Sequence, residues 1–410
     1  MHIKILHTAD WHLGKKLQEF SRIEEQQEVI DEIVQIAERE DVDLVLLAGD
    51  IFDTFNPSHE AIELLYKALK RLSNGGKRPI VAISGNHDST QFVEAPDPLA
   101  REMGILFYSR YESVIPSFKA DSGLEITKSA PGFLELKLAH IPFPVRIILA
   151  PYANELLLKT YLGVEDREAE IANILGSQWE KIAREHFDAN GVNLFLGHFF
   201  FVKKGETPPP EPESEKSILH VGGTQAIPTD KIPPATQYAA LGHLHRYQTM
   251  NNSTTPVVYS SSPLAYSFSE AEQEKRVVLI KAKPASAVTY EPINLVKGKP
   301  LYRKRFNNLS DTLKWLEDNP YCFVELTYAS DEAIDAASRK AIMKAHGGIV
   351  ALIPEIKSEM NRETGGLLAD DLSQDMVTLF SKYYQTQKGQ MPNQELLQLF
   401  REIISQDQEA

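Results

Sequence analysis

Five short segments of this chain carry side chains able to bind cations or move protons. They are Asp10-Trp-His12-Leu-Gly, Gly49-Asp50-Ile-Phe-Asp53, Gly85-Asn86-His87-Asp88, Gly197-His198 and Gly242-His243-Leu-His245. Asp10, His12, Asp50, Asn86, His198, His243 and His245 together offer oxygen and nitrogen donors and no thiolate. That is more than one tetrahedral zinc takes, and it suits two divalent ions of higher coordination number. A carboxylate shared by two ions about 3.5–4 Å apart is the usual core of a two-metal hydrolytic site. Such ions lower the pKa of a bound water and neutralise charge on a phosphoryl group, so hydrolysis of a phosphoester by in-line attack is expected. A lone His at a strand end is ordinarily a satisfied polar residue, and Asp after Gly a turn residue. His2, His7, His59, His140, His186, His220 and His346 belong to no motif and are read that way. Five such coincidences at equivalent positions are not.

For scattered side chains to meet, the elements between them must bring five loops to one place. Residues 3–8, 43–48 and 79–83 read as strands, separated by amphipathic helices over 23–40 and 60–72. Further strands are expected at 145–149, 192–196, 238–241, 257–260 and 277–280, with a helix over 168–185. Strands alternating with helices imply βαβ units and a sheet covered by helices, an α/β class. Each motif follows a strand, and ligands bind outside the carboxyl ends of strands in such sheets. The neighbouring glycines are expected to supply the bend that aims both side chains of Asp-x-His and His-x-His at one centre.

The 410 residues admit two or three domains at roughly 150 residues each. Hydrophobic residues make up 42% and charged residues 24%, which excludes wholesale disorder and fibrous classes. No apolar run approaches the ~18 residues of a membrane span, so no membrane association is expected. Cys322, the one cysteine, has no partner for an intrachain disulfide, and residues 1–4 lead into a short apolar segment without a leader pattern. A reducing cytoplasm is the expected location.

The net charge of −14, from 43 basic and 57 acidic residues, argues against a polyanion-binding protein unless positive charge is local. Two bound metals would bring about four positive charges to the place a phosphate must sit. Lys15, Lys16 and Arg22 follow the first motif, Lys203, Lys204 and Arg246 follow two others, and Lys297, Lys299, Arg303, Lys304 and Arg305 cluster further on. Such clusters suit a solvated face. Beside a metal site they are read as contacts to a nucleic-acid backbone, positioning a duplex without reading its sequence.

Residues 203–216, with their run of Pro and Glu, read as a mobile surface loop. Residues 294–356 read as a small α+β domain, with helices at 311–317 and 331–345 around a strand at 322–327. Met376, Val377, Leu379, Phe380, Tyr383 and Tyr384 make one apolar helical stripe, and Leu396, Leu397, Leu399, Phe400, Ile403 and Ile404 make a second. Gly389 and Pro392 mark the turn between them. Two short helices bury little alone, so the stripes need a partner surface, on this chain or on another protein.

The five-motif set resembles that of the calcineurin-like metallophosphoesterases. The longer strings His7-Thr-Ala-Asp-Trp-His-Leu-Gly, Ala48-Gly-Asp-Ile-Phe-Asp-Thr, Ala240-Leu-Gly-His-Leu-His-Arg246 and Tyr259-Ser-Ser-Ser-Pro263 are similar to the bacterial SbcD exonuclease subunits. The likeness is densest over residues 1–282. Ser261 is a departure, standing where glycine is expected, and bears on local loop shape rather than on metal binding. The resemblance implies a β-sandwich flanked by helices (residues 1–283), a capping domain that orients DNA (294–356) and a C-terminal helical hairpin (370–406).

The resemblance also implies roles. Asp10, His12, Asp50 and His245 would hold one metal, and Asp50, Asn86, His198 and His243 the other, with Asp50 bridging. His87 would be the general acid or transition-state stabiliser and Asp88 the group that orients it. Asp53 would support the site from behind the ligands, or be a turn carboxylate. Lys15, Lys16, Arg22, Arg246, Arg303, Lys304 and Arg305 are the expected DNA contacts. Manganese is the expected metal; the ligand set does not exclude iron, cobalt or zinc. The implied activity is double-strand 3′–5′ exonuclease and single-strand or hairpin endonuclease action in DNA repair and recombination. An SbcC-type coiled-coil ATPase would be the partner, in a heterotetramer with paired catalytic subunits. ATP handling falls to that partner, because no Gly-x-x-x-x-Gly-Lys-Ser/Thr segment is present. Two rival functions share these features: a stand-alone phosphoesterase acting on nucleotides or phosphoproteins, and a non-catalytic scaffold for DNA ends.

Overall fold

The computed structural model describes residues 1–153, 167–203, 226–250, 255–330 and 334–356, with the isolated positions Phe380 and Leu397. Five strands and three helices carry the site: β1 (Ile3–Thr8), α1 (Ile23–Arg39), β2 (Leu44–Ala48), α2 (His59–Leu72), β3 (Ile80–Ile83), α3 (Arg167–His186), β4 (Val192–His198) and β5 (Tyr238–Gly242). β1, β2 and β3 run parallel in a six-stranded sheet that ends on Ile105–Tyr108 at one side. On the other side Lys275–Ala282 and Thr289–Leu295 join it antiparallel. β4 and β5 run parallel in a seven-stranded sheet with Val145–Ala150 and Val257–Tyr259, and antiparallel strands close both edges.

Alternation along the strands decides what each face meets. From the first sheet Ile3, Ile5, Leu44, Leu46, Val81 and Ile83 pack on Val145, Ile147, Leu149, Leu194, Leu196 and Ala240 of the second. The intervening residues Leu6, Val45, Leu47, Ile80 and Ala82 face α1 and α2 instead. α3 covers the outer face of the second sheet, with Leu175 and Trp179 against Phe195, Ala239 and Leu241. Strands buried on both faces must be apolar throughout, which is why β2 reads Leu-Val-Leu-Leu-Ala without a polar break. α1 buries Val29, Ile30, Ile33, Val34, Ile36 and Ala37 along one stripe. The Ser58 hydroxyl caps α2 by accepting from the Ala61 N–H at 3.3 Å.

The expected central strands and helices are present to within two residues at most ends. The hairpin Glu125–Ala130 and Phe133–Lys137 was not expected, nor were the strands Ile105–Tyr108 and Thr289–Leu295. Residues 301–356 hold strands Leu301–Phe306, Phe323–Ser330 and Ile349–Ile356 with helices Leu309–Asp318 and Ala336–Ala345, two strands more than expected. The chain divides into two compact units. One is Met1–Lys304 with Trp315–Leu326 and His346–Leu352; the other is Arg305–Lys314, Thr327–Ala345 and Ile353–Ala410. The expected hairpin at 370–406, the loop beyond Lys203 and residues 331–333 lie outside the described residues. No helix among the described residues is long and apolar enough to cross a membrane.

Candidate metal centre

All five motifs converge beyond the carboxyl ends of β1 to β5. The loops after β1 and β2 zip together, with the N–H of Asp10 on the Gly49 carbonyl at 3.0 Å and that of His12 on the Asp50 carbonyl at 2.9 Å. The bend expected of the glycines is taken largely by the ligands. Asp10, His12, Asp50 and His243 have φ of +54°, +43°, +49° and +102°. A left-handed backbone at non-glycine residues costs energy and clusters at functional sites. Glycine is needed for close approach: a Cβ on Gly242 would overlap the Ala48 carbonyl, and one on Gly85 would collide with Asp50.

Each ligand carboxylate spends one oxygen on a neighbouring loop and turns the other inward. Asp10 Oδ1 accepts from the His243 N–H at 2.8 Å, and its buried Oδ2 has no hydrogen-bond partner. Asp50 Oδ1 accepts from the His87 N–H at 2.9 Å. Asp50 Oδ2 lies 3.5 Å from His12 Nε2 and 3.4 Å from His198 Nε2, between the two histidines. His12 Nε2 is 3.0 Å from His245 Nε2. Asn86 Oδ1 is 3.0 Å from both His198 Nε2 and His243 Nδ1.

The outer atoms of the rings fix the tautomers. His198 Nδ1 faces the Ala48 carbonyl at 2.7 Å, and His245 Nδ1 faces Glu270 Oε1 at 3.2 Å. Both acceptors require a proton on Nδ1, which leaves Nε2 as a lone pair pointing inward. Inward lone pairs, a partnerless buried carboxylate oxygen and a carboxylate shared between two imidazoles fit divalent cations.

The electrostatics agree. Burial pushes His12 down to about 3, a neutral ring suited to ligation, against the pull of Asp50 and Asp53. Burial would lower His198 too, but Asp50 and Asp10 raise it to about 9. That carboxylate field favours a positive charge at this spot. Burial alone would raise Asp50, yet His198, His87 and His12 hold it far below the carboxylate range.

His87 stands in T-shaped contact with His12, ring centroids 4.8 Å apart. Its Nδ1 is 2.9 Å from the Asp53 backbone carbonyl, and its buried Nε2 has no partner. Asp88 does not orient this ring. Its Oδ2 accepts from the Ile51 and Gly85 N–H groups at 3.0 and 2.9 Å, and its Oδ1 from Phe52 N–H at 2.9 Å. Asp88 therefore ties two ligand loops together, because its short side chain is consumed by backbone before it reaches the imidazole. Asp53 Oδ1 sits 3.5 Å from His12 Nδ1 and takes a 2.6 Å hydrogen bond from Lys15 Nζ.

The basic residues divide. Arg22 is 1% exposed, its guanidinium paired bidentately with Glu25 and donating to the Ala265 carbonyl at 3.0 Å. Burial corrects the expectation that it touches DNA. Lys16 and Arg246 are exposed and have no acidic partner among the described residues. Arg303, Lys304 and Arg305 are each paired, with Glu325, Glu272 and Glu355.

Sequence reading missed Glu270 and Lys275. Glu270, 3% exposed, reaches His245, and Lys275 Nζ, 7% exposed, lies 2.5 Å from Glu270 Oε2. Neither stands in a motif, and only proximity in space links Glu270 to a histidine 25 residues earlier.

Residues 3–247 match the family model described as calcineurin-like phosphoesterase, so fold and site define a metallophosphoesterase. The chain is 35% identical over 411 residues to the SbcD subunit of nuclease SbcCD from Bacillus subtilis (strain 168), covering 98% of each chain. It is 33% identical to the SbcD subunit of the Rhodobacter capsulatus nuclease, over 71% of this chain and 69% of that one. The same-named protein of Staphylococcus epidermidis is 28% identical over 80% of each. The chain belongs to the SbcD family of calcineurin-like metallophosphoesterases, a family of metal-dependent phosphodiesterases of the nuclease type.

Proposed function

We propose that the chain is the catalytic subunit of a DNA-end nuclease, cutting duplex in the 3′–5′ direction and opening single strands and hairpins. The observation that carries the reading is Asp50 Oδ2 between His12 Nε2 and His198 Nε2, at 3.5 and 3.4 Å. On this reading Asp10, His12, Asp50 and His245 hold one divalent cation, and Asp50, Asn86, His198 and His243 hold the other. Manganese suits the mixed carboxylate, imidazole and amide set. Bound there, the metals supply a hydroxide nucleophile and polarise the phosphoryl oxygens. The protein's own part is placement. Asp10 and Asp50 lock their loops through His243 N–H and His87 N–H. His87, with Nδ1 on the Asp53 carbonyl, turns Nε2 inward. As an imidazolium it donates to the leaving oxygen; as a neutral ring it takes a proton back.

The names of the relatives support a partner of the SbcC type, a coiled-coil ATPase. The two stripes within 370–406 are the proposed docking helices, an amphipathic-helix mode. Residues 1–283 form the nuclease domain and 294–356 the cap that orients DNA, with two catalytic subunits paired in a cytoplasmic heterotetramer. The test is incubation with end-labelled linear duplex and manganese, with and without the ATPase. Metal-dependent shortening that Asp50→Asn abolishes and the ATPase stimulates is the expected result. Hydrolysis of nucleotide monoesters with no cleavage of DNA would move the assignment to a stand-alone phosphoesterase.

A further inference from the structure

We propose that Glu270 and Lys275 are a positioning pair for His245, gripping this ligand at its ring and its backbone at once. The inference rests on the two-metal reading above. Glu270 Oε1 lies 3.2 Å from His245 Nδ1, while Lys275 Nζ donates to the His245 carbonyl at 2.8 Å. The two clamps are joined, because Lys275 Nζ also donates to Glu270 Oε2 at 2.5 Å and to Ser262 Oγ at 2.9 Å. Glu270 Oε1 further accepts from the Tyr266 N–H at 3.3 Å, so the carboxylate is held by main chain as well.

A buried ion pair is poor evidence of stability, since desolvation opposes the Coulomb gain. Here it does something that packing cannot. The carboxylate accepts the Nδ1 proton, so Nε2 faces His12 as a lone pair, and the lysine stops the residue sliding along its loop. Outer partners of this type set ligand basicity and orientation, and their loss costs roughly 10–100-fold in metal affinity.

The test is manganese calorimetry on the full chain with Glu270→Gln and with the charge-neutral double variant Glu270→Gln, Lys275→Met. The double variant leaves no uncompensated buried lysine, so it reads the ligand effect where the single one loses its fold. Metal-free melting temperature is recorded for each. The expected result is a roughly 10–100-fold weakening of one manganese equivalent, with the other unchanged and the metal-free melt preserved. Two equivalents bound with parental affinity by the folded double variant would overturn the positioning role alone. A parent chain that binds no manganese would overturn the two-metal reading itself, and the inference with it.

Discussion

His87 Nδ1 lies 2.9 Å from the backbone carbonyl oxygen of Asp53, so main chain rather than a carboxylate holds the ring whose Nε2 looks into the centre. A ring fixed in this way adds little to the fold but sets where a proton is delivered. His87→Gln is therefore expected to lower kcat by roughly 10²–10⁴-fold with manganese stoichiometry and melting temperature unchanged. Asp53→Asn keeps the carbonyl and should cost less. Single-turnover cleavage beside metal calorimetry checks both. A histidine variant that cleaves at the parental rate removes His87 from the chemistry.

Asp88 predicts the opposite pattern. Its carboxylate serves three buried N–H groups, of Ile51, Phe52 and Gly85. Asp88→Ala strands all three, at about 1–3 kcal/mol for each unsatisfied group. A loss of about 3–5 kcal/mol is expected, seen as a fall of roughly 10 °C in Tm together with reduced activity. An unchanged melt with lost activity would return Asp88 to a direct part in catalysis.

Ser261 holds the left-handed backbone that a glycine takes freely, at φ +86°. Its hydroxyl offsets the strain by accepting from the Arg276 N–H at 2.9 Å. Ser261→Gly relieves the backbone and loses this bond, whereas Ser261→Ala loses the bond and keeps the strain. Alanine should therefore be the less stable by about 1 kcal/mol or more in urea unfolding. Equal stabilities would show that the loop relaxes away from this conformation.

The cations near the site are expected to separate into two kinds. Lys16→Ala and Arg246→Ala should weaken DNA binding uniformly across sequences, each reducing the salt slope by about 1. Arg22→Ala should instead unsettle the fold by breaking the pair with Glu25. Fluorescence anisotropy over a salt series and thermal melts distinguish them. A shallower salt slope for Arg22→Ala in a folded protein would contradict its burial.

Much of the arrangement was legible in advance. β2 and β3 announce themselves as unbroken apolar runs, and α1 and α2 as 3.6-residue stripes, because each is buried in the way its pattern implies. The seven ligands stood out because donors recurred after successive strands. The edge hairpin Glu125–Ala130 and Phe133–Lys137 did not, since its half-exposed strand mixes charges with its apolar residues. Left-handed backbone at Asp10 and His243 is a tertiary demand that no local signal encodes. Arg22 looks like any surface cation until Glu25 and Ala265 enclose it. Glu270 comes to His245 from a turn, with no spacing to mark it.

The central claim is that Asp50 bridges two cations. Anomalous scattering from crystals of the chain grown with manganese tests it most directly. Two peaks about 3.5–4 Å apart should flank the Asp50 carboxylate, one against His12 and His245 and the other against Asn86, His198 and His243. A single peak served by only one of these groups, or no peak at Asp50, would contradict it.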